Sequence, residues 1–310
     1  MTDSLPEALA ALAAPPSGPR EPYAVLADRP DGTVVRCGQT VAKAHAADSD
    51  REALAARMRI AGHASLAGVL LPPLGAAAGP VAERPVSLWP YGAPVDPERP
   101  ADAPWEAAGR LLAALHRIPP GQLPGPVPPM RGPAKVARAL HRLERTAPRG
   151  AGAVRAAART LPGWARGEYP PPPGGTLCHG DLHLGQLVRH PAPDGPWLLI
   201  DVDDLGIGTP AWDLARPAAW YAAGLLDPPV WLRFLDAYRA AGGPAAGPPG
   251  SDPWPELDLA ARALTVQTAA LALAKSAEQG RRLDGGERLM VDACARIAAL
   301  PADLDSGPTP

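Results

Sequence analysis

The chain has 310 residues, 46% of them hydrophobic, with 30 basic against 32 acidic side chains and a formal net charge of -2. That length and apolar content supply one large or two modest domains with real cores, and near-neutral charge gives no electrostatic case for a nucleic-acid partner or an anionic membrane surface. The three cysteines, Cys37, Cys178 and Cys294, are odd in number, far apart and without metal-ligand spacing, so reduced thiols in a cytoplasmic protein are expected and no disulfide framework follows.

Residues 1–20, MTDSLPEALAALAAPPSGPR, hold an apolar stretch interrupted by Pro15 and Pro16. The segment begins with acidic residues and lacks a positive n-region, so it is expected to be an N-terminal extension and not a signal peptide. No uninterrupted run of about 18 apolar residues occurs, and no membrane span is expected. The 43 prolines gather in 119–133, 162–173 and 244–255, between periodic segments.

From Glu21 to His45 the pattern reads as three short strands, Tyr23 to Leu26, Thr33 to Arg36 and Thr40 to Lys43, with turns at Arg29-Pro30-Asp31-Gly32 and Gly38-Gln39. A helix follows over 48–62, capped by Asp48, Ser49 or Asp50. Val69-Leu70-Leu71 and then Val86 to Trp89 complete a five-stranded sheet. Lys43, ending the Val-Ala-Lys strand, is informative because the chain has three lysines against 27 arginines. By composition alone a lysine falls on a given position about one time in a hundred. Beyond residue 92 the chain turns helical: Trp105 to His116 has Ala108, Leu111, Leu112 and Leu115 on one stripe. Further helices are predicted at 134–146, 151–160, 211–224, 228–241, 256–281 and 286–299, with a loose tail at 301–310.

The densest chemistry lies in 178–215, CHGDLHLGQLVRHPAPDGPWLLIDVDDLGIGTPAWDLA. His179-Gly180-Asp181 is followed by the amide Gln186, and the apolar strand Trp197 to Ile200 delivers Asp201, Asp203 and Asp204. Phosphoryl transfer asks an enzyme to position groups and neutralise charge. Mg²⁺ takes hard oxygen ligands, one or two carboxylates among them, which Asp201 and Gln186 supply. A further carboxylate orients the acceptor hydroxyl and takes its proton, a role that fits Asp181. His179 and His183 stand four apart as on a zinc-binding helix, but Gly180 and the absence of HExxH argue against one.

HGDLHLGQ together with IDVDDLGIGTPAWDLA resembles the aminoglycoside phosphotransferase and choline kinase type of small-molecule kinase, a relative of the protein kinases. In that family the pattern runs His-Gly-Asp, Asn five residues after the Asp, then Ile-Asp and Asp-Leu-Ala. The resemblance implies Asp181 as catalytic base, Gln186 at the metal-binding amide position, Asp201 as principal magnesium ligand and Asp213 as a buried carboxylate that, with His179, supports the catalytic loop. Asp203 is a candidate second acidic group. Gln in place of Asn at 186 also occurs in maltokinase-like and glucosamine-kinase-like relatives, and leaves the sugar-kinase branch open.

The fold so implied is α+β and bilobal: an N-lobe at 21–91 with an antiparallel five-stranded sheet and one helix, and a larger, mainly helical C-lobe at 92–310. Lys43 then resembles the VAIK lysine that pairs with nucleotide phosphates. Its helix partner would be Glu52, although Glu52 lies only nine residues further on, earlier than the family places it. Leu88-Trp89-Pro90-Tyr91-Gly92 resembles the hinge that receives the base, through the backbone at Trp89 to Tyr91. No Gly-rich loop is present at 28–32. ATP, with GTP as the alternative, and Mg²⁺ are the implied cofactors, and a small molecule is the acceptor. Between 251 and 300 seven acids face six Lys or Arg, no acidic patch by count, which favours a sugar or amino sugar and leaves an aminoglycoside-like acceptor as the alternative. Trp220, Tyr221, Trp254, Glu256 and Asp258 are candidate contacts. Two other readings remain open, a catalytically weak nucleotide-binding regulator and a metal-dependent hydrolase using the acids of 179–204.

Overall fold

The computed structural model describes residues 4–15, 22–29, 31–75, 78–172 and 175–300. In chain order the elements are α1 (Leu5–Ala13), β1 (Tyr23–Arg29), β2 (Gly32–Cys37), β3 (Thr40–His45), α2 (Arg51–Ala61), β4 (Ala78–Val81), β5 (Arg84–Pro90) and β6 (Ala93–Pro94). There follow α3 (Trp105–His116), α4 (Gly132–Thr146), α5 (Ala151–Arg159), β7 (Thr176–Cys178), β8 (Leu187–Arg189), β9 (Trp197–Leu199), β10 (Gly206–Gly208), α6 (Ala211–Ala223), α7 (Pro228–Ala240), α8 (Trp254–Gln279) and α9 (Gly285–Ala298). They form two compact units, the first from Met1–Pro104, Ile118–Pro128 and Leu184–Leu205, the second from Trp105–Arg117, Pro129–His183 and Gly206–Pro310. The expected boundary at 91/92 is therefore crossed: the segment delivering Gln186 and Asp201 belongs with the first unit.

The first unit is built on an antiparallel sheet of order β1-β2-β3-β5-β4. Strand periodicity sends alternate residues to opposite faces. Val35, Cys37, Ala42, Ala44 and Val86 pack against Leu9, Ala10 and Ala13 of α1. Full burial of a leucine such as Leu9, 0% exposed, is worth about 1.5–3 kcal/mol. The segment read as an extension thus contributes a helix to this core, beside the single helix expected at 48–62. The small side chains Ala42 and Ala44 let α1 approach, and Asp50 supplies the cap of α2 by accepting from Ala53 N.

The sheet has the expected five strands, but Val69-Leu70-Leu71 is not one of them. Leu71 N donates to Leu199 O and Leu199 N to Val69 O, each at 2.9 Å, so this run braces β9 instead. Pro72 and Pro73 follow it, and proline cannot donate to a ladder. The fifth strand is β4, which turns into β5 at Ala82 and Glu83, both left-handed with φ 47° and 61°, as a tight hairpin requires. A small sheet of order β6-β8-β9 carries the chain to Asp201. Residues 1–3 and 16–20 of the predicted extension, Pro30 of the first turn and the tail 301–310 lie outside the described residues.

The second unit is helical around α8, which packs against α4, α5, α6 and α9. Among the described residues α8 is the one helix long and apolar enough to cross a membrane, and 72% of its most apolar window is buried in the protein. Its apolar character is that of a core helix. α3 packs on α7, and the β7–β10 pair starts the loop that bears Asp181.

Candidate active site

In the first unit, Lys43 lies opposite Ser87, and Val41 opposite Trp89, across β3 and β5. On the face they share, away from α1, Lys43 Nζ stands 2.8 Å from Asp201 Oδ1 and 3.1 Å from Asp203 Oδ2. His45 Nδ1 is 2.9 Å from Asp203 Oδ1, and its Nε2 meets Ser87 Oγ at 2.7 Å. Trp89 Nε1 donates to the same hydroxyl at 2.8 Å. Burial works against the charge on Lys43, yet Asp201 and Asp203 hold its pKa well above the usual lysine range. Burial would likewise raise Asp203, but Lys43 and His45 hold it well below the usual carboxylate range.

Asp201 has φ 67°, a left-handed backbone that a non-glycine residue adopts at a cost and that Asp tolerates better than most. The turn lets its Oδ1 also accept from Asp203 N at 3.3 Å. Gln186, buried, donates Nε2 to Asp201 Oδ2 at 3.4 Å. Carboxylate and amide therefore sit side by side. A half-turn of an amide exchanges its donor and acceptor ends at equal shape, so the pair offers two hard oxygens of the kind Mg²⁺ takes, and the donor set fits. Asp203 is paired to Lys43 and Asp204 is buried.

Glu52 is exposed in the first turn of α2 and is not among the ion-pair partners of Lys43, which are Asp201 and Asp203. It stands too early on the helix, whose buried polar position is Arg57, donating to Leu205 O at 2.7 Å. At the hinge segment part of the backbone is engaged. Tyr91 N donates to Gln39 O at 2.7 Å, and Tyr91 O meets His190 Nδ1 at 3.0 Å. The Tyr91 ring lies under the Arg36 guanidinium, 3.4 Å from Cζ to centroid. Its N–H is thus engaged within the protein, and the Trp89 ring is core.

In the second unit, Asp213 Oδ2 accepts from His179 N at 2.6 Å and Oδ1 from Gly180 N at 2.7 Å. Gly180 has φ 85°, where a side chain would be strained. Asp213 Oδ2 also meets His116 Nε2 at 3.0 Å, while His116 Nδ1 meets Tyr238 Oη at 2.9 Å. Burial pushes the Tyr238 phenol up, so its O–H stays protonated beside the His116 ring. Ala245 N donates to the Tyr238 oxygen at 3.1 Å. Cys178 lies near this cluster, with burial and Asp213 raising its thiol pKa.

Asp181 is gripped by two cations. Arg216 Nη2 donates to Oδ1 at 2.5 Å and Lys135 Nζ lies 2.7 Å from Oδ2. Burial alone would raise its pKa, but Lys135, Arg216 and the nearby His183 hold it below the usual carboxylate value. Neither cation was singled out from sequence, although Lys135 shares the rarity that drew attention to Lys43, and Arg216 stands one helical turn after Asp213. His45 carried a signal too, two residues beyond Lys43 on one strand face. Of the candidate acceptor contacts, Tyr221 and Trp254 stack at 17° and 6.3 Å, joined by Trp231. Asp258 is paired to Arg262 at 2.8 Å, and Glu256 is exposed.

The model of the phosphotransferase enzyme family matches residues 18–260. No curated relative matches. Among solved structures, a choline/ethanolamine kinase family protein from Mesorhizobium loti is 19% identical, covering 94% of this chain and 93% of that one at a TM-score of 0.57. A thermostable mutant of aminoglycoside phosphotransferase APH(4)-Ia, solved as a ternary complex with AMP-PNP and hygromycin B, is 14% identical, covering 92% and 95% at 0.59. Macrolide 2'-phosphotransferase MphH from Brachybacterium faecium is 18% identical, covering 90% and 92% at 0.50. These likenesses carry the fold, the protein-kinase-like one that the motif implied. The family match spans well over half of the 310 residues, and the chain belongs to the phosphotransferase enzyme family as a small-molecule phosphotransferase.

Proposed function

We propose that this protein transfers the γ-phosphoryl group of ATP to a hydroxyl of an uncharged or weakly charged small molecule such as a sugar. The observation that carries the reading is the Lys43–Asp201–Gln186 cluster, in which a phosphate-pairing cation stands 2.8 Å from a carboxylate whose other oxygen meets an amide. Asp201 and Gln186 would hold Mg²⁺, which when bound neutralises charge on phosphate oxygens. Lys43 pairs with the nucleotide phosphates, Asp181 orients the acceptor hydroxyl and receives its proton, and Asp213 keeps the loop of Asp181 in place. Two cations at Asp181 disfavour a polycationic acceptor.

The test is ADP release from Mg-ATP with a panel of neutral sugars, amino sugars and aminoglycosides, with and without Mg²⁺. Turnover that needs both a hydroxyl acceptor and Mg²⁺, and is faster with neutral sugars than with aminoglycosides, is expected. A protein that gains thermal stability from Mg-ATP yet releases no ADP would instead be a nucleotide-binding regulator. The engaged Tyr91 N–H and the exposed Glu52 favour that second reading. Hydrolysis indifferent to acceptor and to Lys43→Ala would make it a hydrolase.

A further inference from the structure

The two cations on Asp181 differ in chemistry. Arg216 is anchored twice, with Nε donating to Leu182 O at 3.1 Å and Nη2 to Asp181 Oδ1 at 2.5 Å. Lys135 reaches Oδ2 at 2.7 Å from α4. An ammonium on a four-carbon stem is a point charge that exchanges partners readily, whereas a planar guanidinium fork is suited to a fixed pair. Lysine is also unusual in this chain, 3 of the 30 basic residues, so a lysine at this carboxylate departs from the chain's habit of using arginine. The other titratable groups at Asp181 are His183, on the same loop, and His179, whose Nδ1 accepts from Asp181 N at 3.4 Å.

We propose that Lys135 is a catalytic residue which passes from Asp181 to the transferred phosphoryl group during the reaction, while Arg216 remains as the positioning residue. The inference rests on the reading of Asp181 as the base. In the step, the acceptor O–H proton goes to Asp181 Oδ2 and the hydroxyl oxygen forms the new bond to the γ-phosphorus. The bond from that phosphorus to ADP breaks, and its electron pair leaves on ADP. Asp181 loses its charge as Lys135's partner at the moment an anionic phosphoryl group arrives on the adjacent oxygen. A hydroxyl donating to Asp181 lies within about 3 Å of it, so the phosphoryl group bonded to that oxygen comes within reach of the Lys135 ammonium. A cation tied permanently to Oδ2 would oppose the proton transfer, and one that leaves with the charge does not.

The experiment compares wild type, Lys135→Met and Lys135→Arg in pH profiles of kcat and kcat/KM, with ATP and with its γ-thio analogue. Lys135→Met is expected to lose about 10²-fold in kcat, the scale of one transition-state charge contact. Its acid limb should move to higher pH, because burial of Asp181 then meets one cation fewer. Its ATP to γ-thio rate ratio should shrink several-fold, since no lysine contact remains for sulfur to weaken. Lys135→Arg should keep the wild-type acid limb but not the wild-type rate. Wild-type kcat in Lys135→Arg, or an unchanged thio ratio in Lys135→Met, overturns the proposal and leaves a structural ion pair. Should Lys135→Met fail to fold, the Arg variant, which keeps the charge, decides alone. Absence of transfer by wild type to any acceptor is a separate result: it defeats the reading of the site and this proposal with it.

Discussion

Asp181, the base of the proposed reaction, has its charge set by what touches it. Burial favours its neutral form and two cations favour its charged form, and the cations prevail. Its folded pKa lies below the unfolded value, near 3.9 for Asp. The stability contributed by its ion pairs is therefore present above that value and lost as the pH falls through the lower folded one. The acid limb of kcat/KM from this residue is expected below about 3.9, and Arg216→Gln should move it upward; an unmoved limb would assign it to another group. At Lys43, the partners are Asp201 and Asp203, while Glu52 faces solvent. Titrations of ATP should find Glu52→Gln within about 2-fold of wild type, a surface-charge effect, and Lys43→Ala weaker by 10-fold or more, about the loss of a buried charge-assisted contact. Equal losses in both variants would put Glu52 back at the site.

At the scale of elements, α1 decides whether the sheet has a covered face. Leu9 is 0% exposed among Val35, Ala42, Ala44 and Val86. Leu9→Ala is expected to cost about 2–5 kcal/mol in urea denaturation, whereas Leu12→Ala, at a position 40% exposed, should stay within about 0.5 kcal/mol. Equal effects would mean that α1 does not pack as described. Helices such as α3, α4 and α5 were legible because they show a 3.6-residue stripe between prolines and glycines. Val69-Leu70-Leu71 was misread because a short apolar run has no partner written into it: its bonds go to Leu199. β4 was missed for the converse reason, since AGPV carries neither alternation nor strand-forming side chains.

For the molecule as a whole, ligand linkage is the broad test. A nucleotide that binds only the folded state adds about 2.7 kcal/mol at 100 times its Kd, so Mg-ATP should raise the melting temperature, and Asp201→Asn should abolish the part of the rise that needs Mg²⁺. An undiminished magnesium increment would move the metal site away from Asp201. The candidate residues Asp181, Gln186, Asp201 and Asp213 were readable because their roles require fixed residue types at short spacing in one continuous loop-strand-helix segment. The chain by itself determined those groups, the helical periodicity and the phosphotransferase motif. Tertiary structure alone decided which groups meet them: Lys43 reaches Asp201 across 158 residues of sequence, His116 reaches Asp213 across 97, and Arg216 reaches Asp181 across 35. Ion pairs and buried hydrogen bonds are set by distance in space and by burial, and no local pattern of residue types encodes either.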